Sequence, residues 1–119
     1  GALPAISLPD QTALFTACAN DISASIAYGQ MVYGYGRKGD VLLTISTSGN
    51  SENVVNAARI AKFRGLKIIA LTGEGPCLLD RLADATIHVP EQETARIQEL
   101  HLPVYHAFCA WCEEQFFNS

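Results

Sequence analysis

Val41-Leu-Leu-Thr-Ile-Ser46, running into Thr47-Ser48-Gly49-Asn50-Ser51, is the stretch that decides the fold of this chain. Its first half is almost continuously apolar, as expected of a strand buried on both faces in a parallel sheet. Its second half is polar and short. Asn53 to Arg64 then reads as a helix with Val54, Ala57, Ala58 and Ala61 on one face, and Gly65 is placed to end it. Strand, hydroxyl-rich loop and helix in that order make the first half of a βαβ unit.

Working outward, Lys67 to Leu71 reads as a second buried strand, Leu78 to Ala83 as a short helix and Ala85 to Val89 as another strand, closed by Pro90. Thr94 to Phe117 reads as a long helix with Thr94 as its N-cap. On the other side, Pro4 to Leu8 has the apolar character of a short buried strand, and Asn20-Asp21 is a turn signal. Ser25 to Gly36 carries Ile26, Met31, Val32 and Tyr35 at helical spacing. Alternating strands and helices require parallel pairing with crossover connections, so the expected fold class is α/β, a doubly wound parallel sheet flanked by helices in three layers. There is no repeat, linker or low-complexity tract, and residues 1–119 are read as one domain.

The loop Ser46-Thr47-Ser48-Gly49-Asn50-Ser51 occupies the place where open α/β sheets take ligands, outside the carboxyl end of a strand. The helix that follows presents unpaired amides and the positive end of its dipole, both favourable for phosphate. Hydroxyls add donors, and Gly49 lets backbone approach an anion closely. The loop holds no Lys or Arg and is not a Walker A sequence. Taken alone, it is equally an ordinary capped strand-to-helix turn.

On the last helix Gln98 and His106 lie eight residues apart, roughly two helical turns, and share a broad face. A histidine at the strand ends can act as a general acid or base near neutral pH, and Gln98 can bond a hydroxyl or offer an oxygen to a metal. A histidine on an apolar helix is also, more often, a packed structural residue. Pro103 between them removes an amide and should kink or break the helix. Cys109-Ala-Trp-Cys112 has redox-motif spacing but lies deep in a helical run, where such a motif does not belong.

Composition limits the functional classes. Lys and Arg number 8 against 12 Asp and Glu, and they are scattered, which excludes a nucleic-acid footprint. No apolar run is long enough to span a membrane, and no secretory signal is visible. The four cysteines lack a disulfide framework, so a reduced, cytoplasmic protein is expected. A hydrophobic content of 49% is high for a solitary small domain and points to surface covered by another subunit or segment.

The Val41 to Ser51 stretch closely resembles the core motif of sugar isomerase (SIS) domains. Thr94-Ala-Arg-Ile-Gln-Glu-Leu-His101, with His106 beyond it, is similar to the signature of the phosphoheptose isomerase branch, and Asn20-Asp21 also matches. The resemblance implies an aldose–ketose isomerisation through an enediol, interconverting sedoheptulose 7-phosphate and a heptose 7-phosphate. It implies phosphate held by Ser46, Thr47, Ser48 and Ser51, and sugar lined by Asn20, Asp21 and Gln98. His106 would be an acid/base partner, and Gln98 and His106 would join a zinc site where the family carries one. It also implies a homotetramer. The family pattern includes an N-terminal helical region, a first strand with a glycine-rich loop, and a helix bearing a His and the catalytic Glu, none of which is matched here. The chain is therefore expected to be a partial SIS domain lacking its first strand and N-terminal helices, without isomerase activity by itself. A non-catalytic SIS module, binding a sugar phosphate or a protein partner in regulation, is the alternative; His106 and the intact serine loop favour the enzyme.

Overall fold

The computed structural model describes residues 1–118. Three parallel strands, β1 (Val41–Ile45), β2 (Lys67–Thr72) and β3 (Ala85–His88), form one sheet in the order β1-β2-β3. Val41 pairs with Lys67 and Ile45 with Leu71 across the first ladder, and Ile69 pairs with Ala85 and Thr72 with His88 across the second. Four α-helices accompany them: α1 (Thr12–Asp21), α2 (Ala27–Tyr35), α3 (Glu52–Arg64) and α4 (Thr94–Phe117). Short 3-10 turns occupy Leu8–Asp10, Ala24–Ile26 and Leu78–Arg81.

Side chains alternate across a strand, and the alternation sorts the layers. Ile68 and Ala70 of β2 point into a core built with Val32 of α2 and Val55, Ala58 and Ala61 of α3. Small residues along α3 let it lie close to the sheet. Gly65 ends α3 at φ +81, and its amide meets the carbonyls of Ala61 and Lys62. Ile69 and Leu71 face the opposite side, where they meet Val104, Tyr105 and Phe108 of α4 around a cleft of about 60 Å³. Helices thus lie on both faces of a parallel sheet, the three-layer doubly wound arrangement expected from the sequence.

Some expectations are corrected. Pro4 to Leu8 is not a strand; residues 1–7 enter no ladder, and Leu8 opens a 3-10 turn. A strand needs a ladder partner, and among the described residues none lies beside this segment. β1 is not buried on both faces either: Val41, Leu43 and Ile45 are 57%, 39% and 47% exposed. Among the described residues it is an edge strand, bonded to β2 alone, and α4 leaves Val41 and Ile45 open. Glu93, not Thr94, is the N-cap of α4, and no side chain caps that end. The helix read at Leu78 to Ala83 is a 3-10 turn, and Asn20-Asp21 are the last residues of α1 rather than a turn. Pro103 does not break α4. The carbonyl it leaves without an amide is that of Glu99; both residues are exposed, so water can meet it.

Candidate functional site

The serine loop is organised by its own hydroxyls. Ser46, buried at the end of β1, accepts the amide of Gly49 on its Oγ at 3.1 Å and pairs with Ser51 Oγ at 3.1 Å. Ser48 is exposed and its Oγ accepts the amide of Asn50 at 3.1 Å. Ser51 is the N-cap of α3, yet its hydroxyl does not cap the helix because it is turned to Ser46. The Val54 amide is taken by Asn53 Oδ1 at 2.8 Å, and the amides of Glu52 and Asn53 are left for solvent or a ligand. Glu52 in that first turn favours the helix but would oppose an anion.

Two supports fix the loop from below. From β2, the Gly73 amide donates to the Thr47 carbonyl at 3.0 Å. From the turn at Leu78–Arg81, the Leu79 amide donates to the Gly49 carbonyl at 3.2 Å and the Leu78 amide to Asn50 Oδ1 at 2.8 Å. Gly49 has φ +66, and a Cβ there would overlap Cys77 Sγ. Only glycine satisfies both the left-handed backbone and that approach.

The same turn carries a pair that the sequence reading missed. Asp80 accepts the Cys77 amide at 2.9 Å and the His88 ring Nε2 at 2.8 Å. His88 Nδ1 lies 2.9 Å from the Gly73 carbonyl and 2.8 Å from Thr72 Oγ1. The Gly73 carbonyl foremost, and then the Asp80 carboxylate, hold the imidazole pKa above its ordinary value against desolvation. The Cys77 amide foremost holds the Asp80 carboxyl below the usual range, against partial burial and with help from His88 and Thr86. The sequence signal was slight: a histidine closing a strand, and an acid in a turn eight residues earlier.

Of the residues singled out on α4, Gln98 and His106 are both exposed. His106 stacks obliquely on Tyr105, with ring centroids 5.4 Å apart. His101, which the sequence reading left aside, is 1% exposed, and its Nε2 lies 2.9 Å from the Thr72 carbonyl. That bond anchors the first half of α4 at the carboxyl end of β2, the end from which the serine loop is supported. Asn20 and Asp21 are exposed at the end of α1. The turn after them is tied to α3, since Asn56 Nδ2 donates to the Ser25 carbonyl at 3.0 Å. No hydrogen bond joins Asn20, Asp21, Gln98 or His106 to the loop among the described residues.

No group of three or more His, Cys, Asp or Glu residues able to hold a metal occurs among the described residues. Gln98 and His106 are two donors where tetrahedral zinc takes four ligands, so this set does not by itself fit the ion. Cys109 and Cys112 are free thiols midway along α4, a setting that suits neither redox nor metal chemistry. No helix of the described residues is long and apolar enough to cross a membrane.

These features define a doubly wound α/β domain whose hydroxyl-rich strand-to-helix loop lies where such sheets take ligands. The sequence model of the SIS domain matches residues 2–73, and the chain belongs to that family. It is 45% identical over 114 residues to a phosphoheptose isomerase of Nitratiruptor sp., covering 96% of this chain and 61% of the relative. It is 43% identical over 120 residues to a phosphoheptose isomerase of Chromohalobacter salexigens, covering 98% and 61%. Among solved structures, the phosphoheptose isomerase of Neisseria gonorrhoeae superposes with a TM-score of 0.88 at 38% identity, over 92% of this chain and 61% of that one. The phosphoheptose isomerase of Francisella tularensis gives 0.86 at 36% identity, over 90% and 58%. The chain thus spans about 61% of the length of the curated relatives.

Proposed function

We propose that this chain is the phosphate-holding part of a phosphoheptose isomerase that interconverts sedoheptulose 7-phosphate and a heptose 7-phosphate. The observation that carries the proposal is the Ser46–Ser51 loop, whose oxygens and amides are already fixed around the open N-terminus of α3. The relatives' name supplies the reaction. Phosphate is met by the hydroxyls of Thr47, Ser48 and Ser51 and by first-turn amides, with Ser46 holding the loop together. Asn20, Asp21 and Gln98 bond sugar hydroxyls.

Aldose–ketose isomerisation moves one proton between neighbouring carbons and one between their oxygens, through an enediol. His106 is one acid/base group for these transfers. A second group is required, because as one group takes the proton from carbon another must protonate the neighbouring carbonyl oxygen to give the enediol, and no hydrogen-bonded partner of His106 supplies it among the described residues. Zinc, where bound, would polarise the carbonyl, with Gln98 and His106 offering one oxygen and one nitrogen and the remaining ligands coming from elsewhere. A homotetramer is part of the same proposal, supported by the exposed Phe108, Trp111, Phe116 and Phe117 on the second half of α4. So is a cytoplasmic location.

The test is titration of the chain with sedoheptulose 7-phosphate, followed through the amide resonances of Gly49, Asn50 and Ser51. Saturable shifts at these residues are expected, and their absence would overturn the loop assignment. Binding without turnover in a protein that spans the relatives' full length would favour a non-catalytic sugar-phosphate module instead.

A further inference from the structure

Both supports of the serine loop converge on one side chain. The Gly73 residue whose amide holds Thr47 presents its carbonyl to His88 Nδ1, and the turn that holds Gly49 and Asn50 is closed by Asp80, which His88 meets through Nε2. Asp80 uses its other oxygen to accept the amide of Cys77, the residue packed against Gly49. The ring therefore spans the end of β2 and the turn, the two platforms on which the loop rests.

Acceptors on both sides of the ring favour its cationic state, although Thr72 Oγ1, 2.8 Å from Nδ1, can donate to a neutral ring. The Gly73 carbonyl and the Asp80 carboxylate can only accept, and they face opposite ring nitrogens. A neutral imidazole has one N–H and satisfies one of them. The imidazolium satisfies both, with Thr72 Oγ1 free to donate to the Gly73 carbonyl at 3.2 Å. Other ionisable groups on the elements packed around His88 are Arg81 on the turn, Glu74 after β2, Glu91 after β3 and His101 on α4. Of the carboxylates, Asp80 is the one within ion-pairing distance among the described residues.

We propose that His88 and Asp80 are positioning residues for anion binding by the Ser46–Ser51 loop, bracing its two supports most firmly when His88 is cationic. The inference rests on the reading of that loop as the phosphate site. It assigns no contact with phosphate to either residue; the pair acts through Gly73, Cys77 and Leu79. Phosphate affinity should then fall as pH rises and His88 loses its proton.

Sulfate is the suitable probe, because it remains a dianion from about pH 5 to about pH 8, where histidine changes charge. Its affinity is read from the Gly49, Asn50 and Ser51 amides, whose spectrum also reports folding. The chain should lose about two- to fivefold in sulfate affinity across that range, the scale of a partly exposed ion pair. His88→Gln should hold the weaker affinity at every pH, and His88→Arg should restore the tighter one without pH dependence. Asp80→Asn should also weaken binding. A plain charge effect predicts the reverse for Asp80→Asn, since removing a negative charge would tighten anion binding, and that result would overturn the proposal. An unchanged pH profile in His88→Gln would overturn it too, while leaving the loop assignment intact. If sulfate shifts none of the three amides in the parent chain, the loop assignment itself fails. Asp80→Asn keeps the ring and decides the matter should His88→Gln not fold.

Discussion

His101 Nε2 lies 2.9 Å from the Thr72 carbonyl oxygen, a buried bond between the middle of α4 and the carboxyl end of β2. The ring must carry its proton on Nε2 to donate to that carbonyl. Thr72 O also accepts the Val89 amide at 3.0 Å, so it would not be orphaned if the ring were removed. His101→Ala should therefore cost one hydrogen bond and a cavity, about 2–4 kcal/mol together. Urea denaturation checks this. A loss below about 0.5 kcal/mol would mean that α4 is held by its apolar contacts alone.

The loop hydroxyls should separate by role. Ser48 is exposed and Ser51 lies at the mouth of α3, so Ser48→Ala and Ser51→Ala should each weaken sugar-phosphate binding by about 1.5–3 kcal/mol. Ser46 is buried and accepts the Gly49 amide, so Ser46→Ala should also destabilise the fold by about 1–2 kcal/mol. Calorimetric titration beside thermal unfolding distinguishes the two effects. Equal losses of stability in all three variants would contradict the division.

Gly49→Ala is the sharper probe of the loop. Its left-handed backbone costs an alanine about 1–2 kcal/mol, and the new Cβ would press on Cys77. The variant should lose at least that much stability and shift the amides of Leu78 and Leu79, which bond to Asn50 and Gly49. Spectra unchanged at the turn would show that loop and turn are not mechanically joined.

The sequence revealed the elements that make their own case locally. The Val41 strand, the α3 helix with its terminal Gly65, and the loop between them follow from apolar runs, spacing and turn chemistry within a few residues. What it did not reveal depends on partners distant along the chain. Pro4 to Leu8 has a strand's composition but no neighbour to pair with, and Val41, Leu43 and Ile45 look doubly buried until β1 proves to be an edge. His88 and Asp80 meet only because the turn folds under the end of β3, a contact with no periodicity to announce it. His101 and His106 are alike as letters on one helix, yet one is buried against β2 and the other is exposed.

Stability should depend on pH through the Asp80–His88 pair. The folded pKa of Asp80 is depressed, so its contribution is present above the ordinary carboxylate value and is lost as pH falls through the lower folded value. The folded pKa of His88 is raised, so its contribution is complete below the ordinary imidazole value and is lost as pH rises through the higher folded value. Both contributions are thus complete between the ordinary carboxylate and the ordinary imidazole values, and each is lost progressively outward to its folded value. Side chains about one-third exposed limit the effect to about 1 kcal/mol. Denaturation midpoints of the chain and of His88→Gln, compared across pH, should converge on the alkaline side; a constant gap would remove His88 ionisation as the cause.

His106 offers a test of chemistry separate from folding. It is exposed and stacks on Tyr105 of the same helix, so His106→Ala should change the stability of the chain by no more than about 0.5 kcal/mol. In a protein spanning the relatives' full length, the same substitution should lower kcat for sedoheptulose 7-phosphate by about 10²–10⁴-fold, the scale of a lost general acid or base. KM should move little, because the proposed phosphate site is the serine loop and not this ring. Near-normal kcat would remove His106 from the proton transfers and leave it a surface residue of α4. A rise in KM with kcat intact would instead make it a binding group for the sugar, since only an interaction gained in the transition state lowers kcat when it is lost.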